Sequence, residues 1–515
     1  MTPEEAPQAG PLGLAPGEQP GSWPPGAEPP SDEAIKRLLS RLEGICGTEH
    51  VITDPQELRT DRSDGLQPQV VPRAAVLPGT SEEVRDVVRA CHEAEVPWVV
   101  RRAKSGLSSA ALPIEEGVVV VLSRLRRILA VDLDNQTLTC EPGVSNVAIS
   151  EAVAPTHFFP PGPWSRVLSS IGGNVEENSG GAHCFKYGFT TNYVLGLEVV
   201  LPDGEVVALG GEQPGLPGYD LGGAFVGSQG TLGVATKITL RVIPRPECTR
   251  TLVAFFDTTA RAGEVVSDVV VGGAVPGAVE MMDGLCIRAC EEMTHAGFPH
   301  DAAAALLVEL DGSKAECEAR FDGVQEICRR HAATEVRVAG DSLERELIWK
   351  VRKAAFPAMS RVSPHHYVPD GVIPRTKLSE VLARIDDLSR EYGLEVANVF
   401  HAGDGNLHPL ICYDGHAEGQ AGRAEELAEL IVAACVEAGG SITREHGGRG
   451  VDEDRSMPEM LAEADLAAYH NLRWAFDPHG RAKPREVMPA PPLCGEVPDP
   501  YRQRPLEAAG LAERS

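Results

Sequence analysis

Two imidazoles stand seven residues apart in His401-Ala402-Gly403-Asp404-Gly405-Asn406-Leu407-His408, and about forty residues later comes Glu445-His446-Gly447. Two neutral His nitrogens and one carboxylate oxygen (His401, His408 and Glu445) make a three-ligand set for a divalent cation. Such a set leaves a coordination position open, which suits catalysis better than a structural role. On spacing alone the alternative is that these histidines cap strands and hydrogen-bond locally.

The second chemistry-bearing stretch is Ser170-Ile171-Gly172-Gly173-Asn174-Val175-Glu176-Glu177-Asn178-Ser179-Gly180-Gly181. Its glycines and asparagines predict a loop, neither a helix interior nor an ordinary strand. A loop of this kind lets backbone N–H groups come close to an anion. It is not G-x-G-x-x-G and no P-loop Lys-Ser/Thr follows, so neither a Rossmann nor a Walker site is implied. A long surface loop that binds nothing is the other reading.

The elements that must position these residues follow from periodicity. Residues 1 to about 30 are rich in Pro, Gly and Glu and read as a disordered tail. Ser31 caps a helix with the stripe Ile35, Leu38, Leu39 and Leu42, ended by Gly44. A strand at Ala74–Leu77, a helix with inner face Val84, Val87, Val88 and Cys91, and a strand at Val96–Val100 form a βαβ unit. Val118–Leu122 is a further strand, followed by hairpins around Asp134-Asn135 and Pro202-Asp203-Gly204, and by a strand at Thr236–Ile243. A second α/β region starts at Thr251. In it a helix from about Leu343 is stopped by Pro357, and helix Lys377–Tyr392 leads into strand Val396–Phe400, which delivers the histidine motif.

Bulk numbers narrow the function. The chain has 515 residues, enough for two or three domains. Lys plus Arg is 47 against 75 for Asp plus Glu, a net charge of −28, which argues against nucleic acid and anionic membrane surfaces as main partners. Twelve cysteines without a C-x-x-C pair fit a reduced, cytoplasmic interior and give no iron–sulfur or zinc-ribbon pattern. No secretory signal is read at Met1-Thr2-Pro3-Glu4-Glu5, and no apolar run reaches the roughly 18 residues of a transmembrane helix.

The order of these features resembles the FAD-linked oxidase family that contains the FAD-binding subunit of glycolate oxidase and the D-lactate and D-2-hydroxyglutarate dehydrogenases. That family lies within the flavoprotein superfamily typified by vanillyl-alcohol oxidase. The resemblance runs from about Leu42 to Pro489. It rests on Ile171–Asn174, Lys186-Tyr187-Gly188, Gly230-Thr231-Leu232-Gly233, Glu280-Met281-Met282-Asp283, Arg352-Lys353-Ala354-Ala355-Phe356 and Val396–His408. It implies an α+β fold: a vanillyl-alcohol-oxidase-type split FAD-binding domain with a ferredoxin-like cap. The FAD-binding domain would span 31–246, the cap 247–446 and a C-terminal return 447–490, between a Pro-rich tail (1–30) and a mobile one (491–515).

By position, the resemblance implies noncovalent FAD on two pyrophosphate loops. Arg101, Ala103, Ser105, Gly106, Leu107 and Ser108 lie on the first; Gly172, Gly173, Asn174, Asn178, Gly181 and Tyr187 on or after the second; Gly233 and Val234 follow. It makes His401, His408 and Glu445 ligands of Zn, Mn or Fe, His446 the general base and Arg352 the holder of a substrate carboxylate. The Cα hydride would pass to flavin N5. Pattern alone reads Arg352, between Lys350 and Lys353, as a solvated charge. Val368 stands where relatives acting on dicarboxylates carry a lysine, which favours glycolate or D-lactate.

Three departures fall on the flavin side. Family glycines of the first loop are replaced by Arg102, Lys104, Ser109 and Ala110. A Cβ at a glycine position costs about 1–3 kcal/mol where strain must be held. Asp452 stands where the family has lysine, and Lys483-Pro484-Arg485-Glu486 replaces Asn-Pro-Gly-Lys. The leading expectation is a 2-hydroxy-acid dehydrogenase. It passes electrons to an iron–sulfur subunit, a second flavoprotein subunit or a quinone-linked carrier, with membrane association only through such partners. The competing one is a weakly catalytic or non-catalytic scaffold subunit with impaired flavin binding.

Overall fold

A computed structural model describes residues 30–58, 71–101, 114, 117–162, 169–213, 217–442, 457 and 460–484. Helix α1 (Asp32–Cys46) starts where Ser31 Oγ accepts the Ala34 N–H at 3.3 Å. It runs past the expected stop at Gly44 and ends before Gly47, whose φ is 89°. An exposed mid-helix glycine costs only about 1 kcal/mol, and the extra turn buries Cys46 in line with Leu42.

The N-terminal half has two sheets. The first contains β1 (Val51–Ile52), β2 (Ala74–Val76), β3 (Trp98–Arg101) and β4 (Val118–Val121) in the order β1-β2-β4-β3. Both β2 and β3 run parallel to β4, joined by α2 (Ser81–Glu93), so the predicted βαβ unit spans the intervening strand. Val84, Val87, Val88 and Cys91 are the buried face of α2. The second sheet is antiparallel: β5 (Ile128–Asp132), β6 (Thr137–Cys140), β7 (Val194–Val200), β8 (Val206–Gly210) and β9 (Val234–Arg241), in the order β5-β6-β9-β7-β8. Between its hairpins lie the short helices α3 (Ile171–Glu177) and α4 (Cys184–Tyr187).

The cap is built on a ten-stranded sheet. Its strands are β10 (Cys248–Phe256), β11 (Ala278–Asp283), β12 (Ala304–Gly312), β13 (Glu335–Val338), β14 (His365–Tyr367), β15 (Gly371–Val372), β16 (Val396–His401), β17 (Asn406–Leu407), β18 (Pro409–Tyr413) and β19 (Ser441–Ile442). The main path is β13-β10-β12-β11-β16-β17-β15-β19, with β14 and β18 attached beside β16. Both faces are covered, which explains the continuous apolar runs in β10 and β12. Leu252, Ala254 and Phe256 enter one apolar cluster and Val253 and Phe255 the other. The first face carries α5 (Thr259–Val271), α7 (Lys314–Arg330), α10 (Leu378–Tyr392) and α11 (Gln420–Glu437). The second carries α6 (Gly284–Thr294), α8 (Ser342–Lys353) and α9 (Ala355–Met359). Contrary to the sequence expectation, Pro357 does not end the helical region. It sits in the first turn of α9, where its missing N–H breaks no bond, and the chain bends at Ala354.

After α12 (Glu463–Phe476) the chain returns to the first sheet. Trp98 N–H donates to Arg481 O at 3.0 Å and Lys483 N–H to Trp98 O at 2.9 Å, so the C-terminal segment covers the outer edge of β3. Among the described residues no helix is long and apolar enough to cross a membrane.

Candidate active site

Strand alternation puts Glu280 on the same face of β11 as Ala278 and Met282, the face under α8. On β16, His401 shares that face with Ala397 and Val399. Glu280 and His401 are direct partners in the antiparallel ladder, so their side chains meet, with His401 Nδ1 at 2.7 Å from Glu280 Oε1. The other oxygen, Oε2, accepts from Arg352 Nε at 2.8 Å and lies 2.7 Å from Nη2. The side chains of Glu280 and Arg352 are both 0% exposed.

Arg352 is therefore not the solvated charge that its lysine-flanked pattern predicts. Arg345, Trp349 and Arg352 lie at i, i+4 and i+7 on α8 and share one face. Arg345 Nε and Nη2 donate to Glu309 on β12 at 2.7 and 2.8 Å, and Trp349 Nε1 donates to the same carboxylate at 2.8 Å. Burial alone would raise the Glu309 carboxyl; the hydrogen bonds and charge of Arg345 overcome it and hold it below the usual range. One buried carboxylate docks the helix, and the next strand's carboxylate receives Arg352.

His408 is fully buried, with Nδ1 at 3.0 Å from Asp370 Oδ1. The His401 and His408 ring centroids are 5.2 Å apart, nearly perpendicular at 85°. Where Nδ1 of a neutral ring donates to a carboxylate, as in the His401–Glu280 pair, the lone pair stays on Nε2. That is the arrangement of metal-ligating histidines. The turn between them depends on glycine at two places. Gly405 has φ +82°, and a Cβ there would fall 2.1 Å from Ile373 O. A Cβ on Gly403 would sit 3.1 Å from Phe185 Cβ, on α4 of the N-terminal half.

Glu445 and His446 lie outside the described residues. The strand leading to them, β19, pairs Ile442 with Gly371, which in turn pairs with Leu407 beside His408. Two strand spacings, about 10 Å, separate the chain three residues before Glu445 from the histidine turn. Among the described residues, no three His, Cys, Asp or Glu side chains are grouped to hold a metal.

The glycine block corrects a sequence expectation. Instead of a loop, Ile171–Glu177 is helical, with Ser170 Oγ accepting the Gly173 N–H at 3.4 Å and Asn178 closing it at φ 49°. Gly172 and Gly173 fall in the first turn, where the strong N-cap offsets their propensity, and Ile171 and Val175 turn one stripe into the apolar cluster. The N–H groups of Ile171 and Gly172 donate to Val144 O and Pro142 O, both at 2.8 Å. Asn174 Nδ2 donates to Asn146 Oδ1 at 2.9 Å, and Asn178 Oδ1 accepts from the Thr191 N–H at 2.9 Å.

Other expected cofactor residues scatter. Tyr187 Oη donates to Asp311 Oδ2 at 2.7 Å and Lys186 Nζ reaches Asp311 Oδ1 at 2.6 Å, so α4 clasps the end of cap strand β12. Gly181 (φ +152°) precedes α4, while Gly233 (φ +139°) and Val234 open β9. Arg101 ends β3 and is buried. Ala103, Ser105, Gly106, Leu107 and Ser108, with the replacements Arg102 and Lys104, lie outside the described residues. A cavity of about 460 Å³ opens between the halves, lined by Gly227, Ser228, Thr231 and Leu232 on one side and by Ile442 and Arg473 on others. Its size falls within the roughly 300–1,000 Å³ of small-molecule sites. Gly227, at φ +87°, sits in a turn that favours glycine, and a Cβ there would meet Asn178 Cβ at 3.4 Å. The glycine-rich and apolar walls of the cavity leave room for part of a flavin cofactor.

Comparison with known proteins agrees. Residues 72–210 match the family model described as FAD binding domain, and residues 245–487 that of the C-terminal domain of FAD linked oxidases. The structure of p-cresol methylhydroxylase with substrate bound superposes with a TM-score of 0.72 at 18% identity, over 88% of this chain and 97% of that one, which shows the split, vanillyl-alcohol-oxidase-type fold. The protein is thus an FAD-linked oxidoreductase. The glycolate oxidase subunit GlcD of Escherichia coli K12 is 44% identical over 91% of this chain and 94% of its own length. That of Bacillus subtilis 168 is 34% identical over 82% and 90%. The mitochondrial D-lactate dehydrogenase [cytochrome] of Arabidopsis thaliana is 29% identical over 89% and 81%. The chain belongs to this glycolate oxidase subunit family of FAD-linked oxidases.

Sequence reasoning gave no role to Glu280 or Asp370. Glu280 had a usable signal, a lone carboxylate in the apolar run Ala278–Met282, since a buried acid needs a partner. Asp370 had none, because Val-Pro-Asp-Gly reads as an ordinary turn.

Proposed function

We propose that the chain oxidises a small 2-hydroxy acid, glycolate or D-lactate, to the 2-oxo acid and hands the electrons to a partner subunit or quinone-linked carrier. The observation that carries this reading is the buried set His401–Glu280–Arg352, with His408 on Asp370 beside it. A divalent cation (Zn, Mn or Fe) held by His401, His408 and Glu445 would supply Lewis acidity at the substrate hydroxyl, and FAD the acceptor for the Cα hydride. Arg352 would bind and orient the substrate carboxylate with guanidinium N–H groups other than those turned to Glu280. His446, next in sequence to Glu445, takes the hydroxyl proton on an imidazole nitrogen. The buried walls of the site exclude water from the exchange.

Glycolate and D-lactate carry one carboxylate. Val368 packs against the apolar cluster of the cap and offers no charge to a second one. Anaerobic mixing of the flavin-loaded protein with glycolate, D-lactate and D-2-hydroxyglutarate tests the proposal. Flavin reduction is expected to be faster with the monocarboxylates. A clear preference for the dicarboxylate overturns the substrate assignment, and a colourless protein that takes up no added FAD overturns the enzyme reading in favour of a scaffold subunit.

A further inference from the structure

Glu280 touches both groups on which the proposed function depends, and the role inferred for it rests on that reading. The Arg352 guanidinium is the carboxylate anchor. His401 belongs to the anchor for the hydroxyl. They come from different elements, α8 and β16, and meet on the two oxygens of one buried side chain from β11, with His401 Nδ1 on Oε1 at 2.7 Å and Arg352 Nε on Oε2 at 2.8 Å. The ladder register Glu280↔His401 fixes one contact, and the Glu309 anchorage of Arg345 and Trp349 fixes the helix that delivers the other.

We infer that Glu280 is a positioning residue that sets the span between the two anchors and thereby selects acids whose hydroxyl is on the carbon next to the carboxylate. In a 2-hydroxy acid the two carbons are bonded directly. In a 3-hydroxy acid a methylene intervenes, moving the hydroxyl by about 1.5 Å, a misplacement large enough to matter for oriented catalysis. Glu280→Asp withdraws the carboxylate by one methylene towards β11, so Arg352 and His401 must shift or let go. Glu280→Gln keeps the size but supplies one acceptor where two donors converge.

The test uses the flavin-loaded enzyme with D-2-hydroxybutyrate and D-3-hydroxybutyrate, which differ only in hydroxyl position. The wild type is expected to prefer the 2-isomer. In Glu280→Asp the ratio of the two kcat/KM values should fall by about tenfold or more. In Glu280→Gln, affinity for added Zn or Mn, read by chelator competition, should weaken by about 10–100-fold, as when the outer partner of a ligating histidine is lost. A purely structural role would lower Tm and both kcat/KM values alike and leave the ratio untouched; that result overturns the inference. If Glu280→Gln does not fold, the ratio in Glu280→Asp decides alone. A wild type that holds no metal and ignores chelators removes the metal from the proposed function, and with it the hydroxyl anchor on which this inference rests. A metal-bearing wild type whose Glu280 variants keep both affinity and ratio removes only this inference.

Discussion

On the cap, the groups placed to do chemistry are side chains, and each is held by another side chain: His401 and Arg352 by Glu280, His408 by Asp370. On the N-terminal half, the glycine-rich segment offers backbone, and its N–H groups at Ile171 and Gly172 are already bound to Val144 O and Pro142 O. In the first region two networks of buried charge converge on neighbouring strands. In the second a capped helix turn lies between hairpins. If the proposed function holds, the reacting groups sit on the sheet and the cofactor is left to short turns. Damage should therefore stay local: loss of a cap side chain should spare the flavin, and loss of a turn should spare the metal ligands.

The largest expected effect is at His408. His408→Ala should abolish metal retention and lower kcat by on the order of 10³-fold or more, while the flavin spectrum stays intact. Metal analysis alongside the absorbance spectrum checks this, and loss of flavin with the metal would break the comparison. Arg352→Lys keeps the charge but not the planar fork. KM for glycolate should rise at least as much as kcat falls, for a combined loss of about 10–100-fold in steady-state assays.

The third prediction concerns Asp283, at the end of β11, whose carboxylate accepts from Asn398 on the strand that carries His401. Burial pushes the Asp283 carboxyl up to about 6, opposed by the hydrogen bonds it accepts from Cys286 and Asn398. The unfolded chain gives up this proton near pH 4 and the native protein near pH 6, so between them the native state binds more protons. The stability from this group is fully present below about pH 4 and is lost as pH rises through 6. The stability advantage of wild type over Asp283→Asn should shrink across that window, by on the order of 3 kcal/mol. Denaturant melts of both proteins from pH 4 to 7 check it, and an advantage that grows with pH contradicts the assignment.

The smallest effect is on the other side. Ser170→Ala removes the cap of α3 and should cost about 1 kcal/mol. FAD affinity, measured by fluorescence quenching, should weaken severalfold at most while metal content stays at the wild-type level. An equal loss of both would show that the two regions are not separable.

The same contrast explains what could be read from the sequence. His401 and His408 were legible because a two-residue strand and a short turn translate spacing directly into proximity. The βαβ unit and the strand ending at His401 were legible from apolar periodicity. Arg352 was misread by pattern because its fate depends on which face of α8 meets the sheet, a tertiary matter. The glycine block was misread because glycine composition speaks against helix interiors, whereas Gly172 and Gly173 occupy a first turn under a serine cap. The link of Glu280 to Arg352 joins residues far apart in sequence, which no local window contains.

The return of residues 481–483 to β3 has a consequence for how the protein is made. The cap sheet, Cys248 to Ile442, is complete in the nascent chain before the strand partner of Trp98 has been synthesised. At about 5–20 residues per second, the outer edge of β3 waits roughly 20–80 s for Arg481 to Lys483 to emerge. Until then Val99 and Val100 belong to an open, apolar strand edge of the kind that recruits other chains.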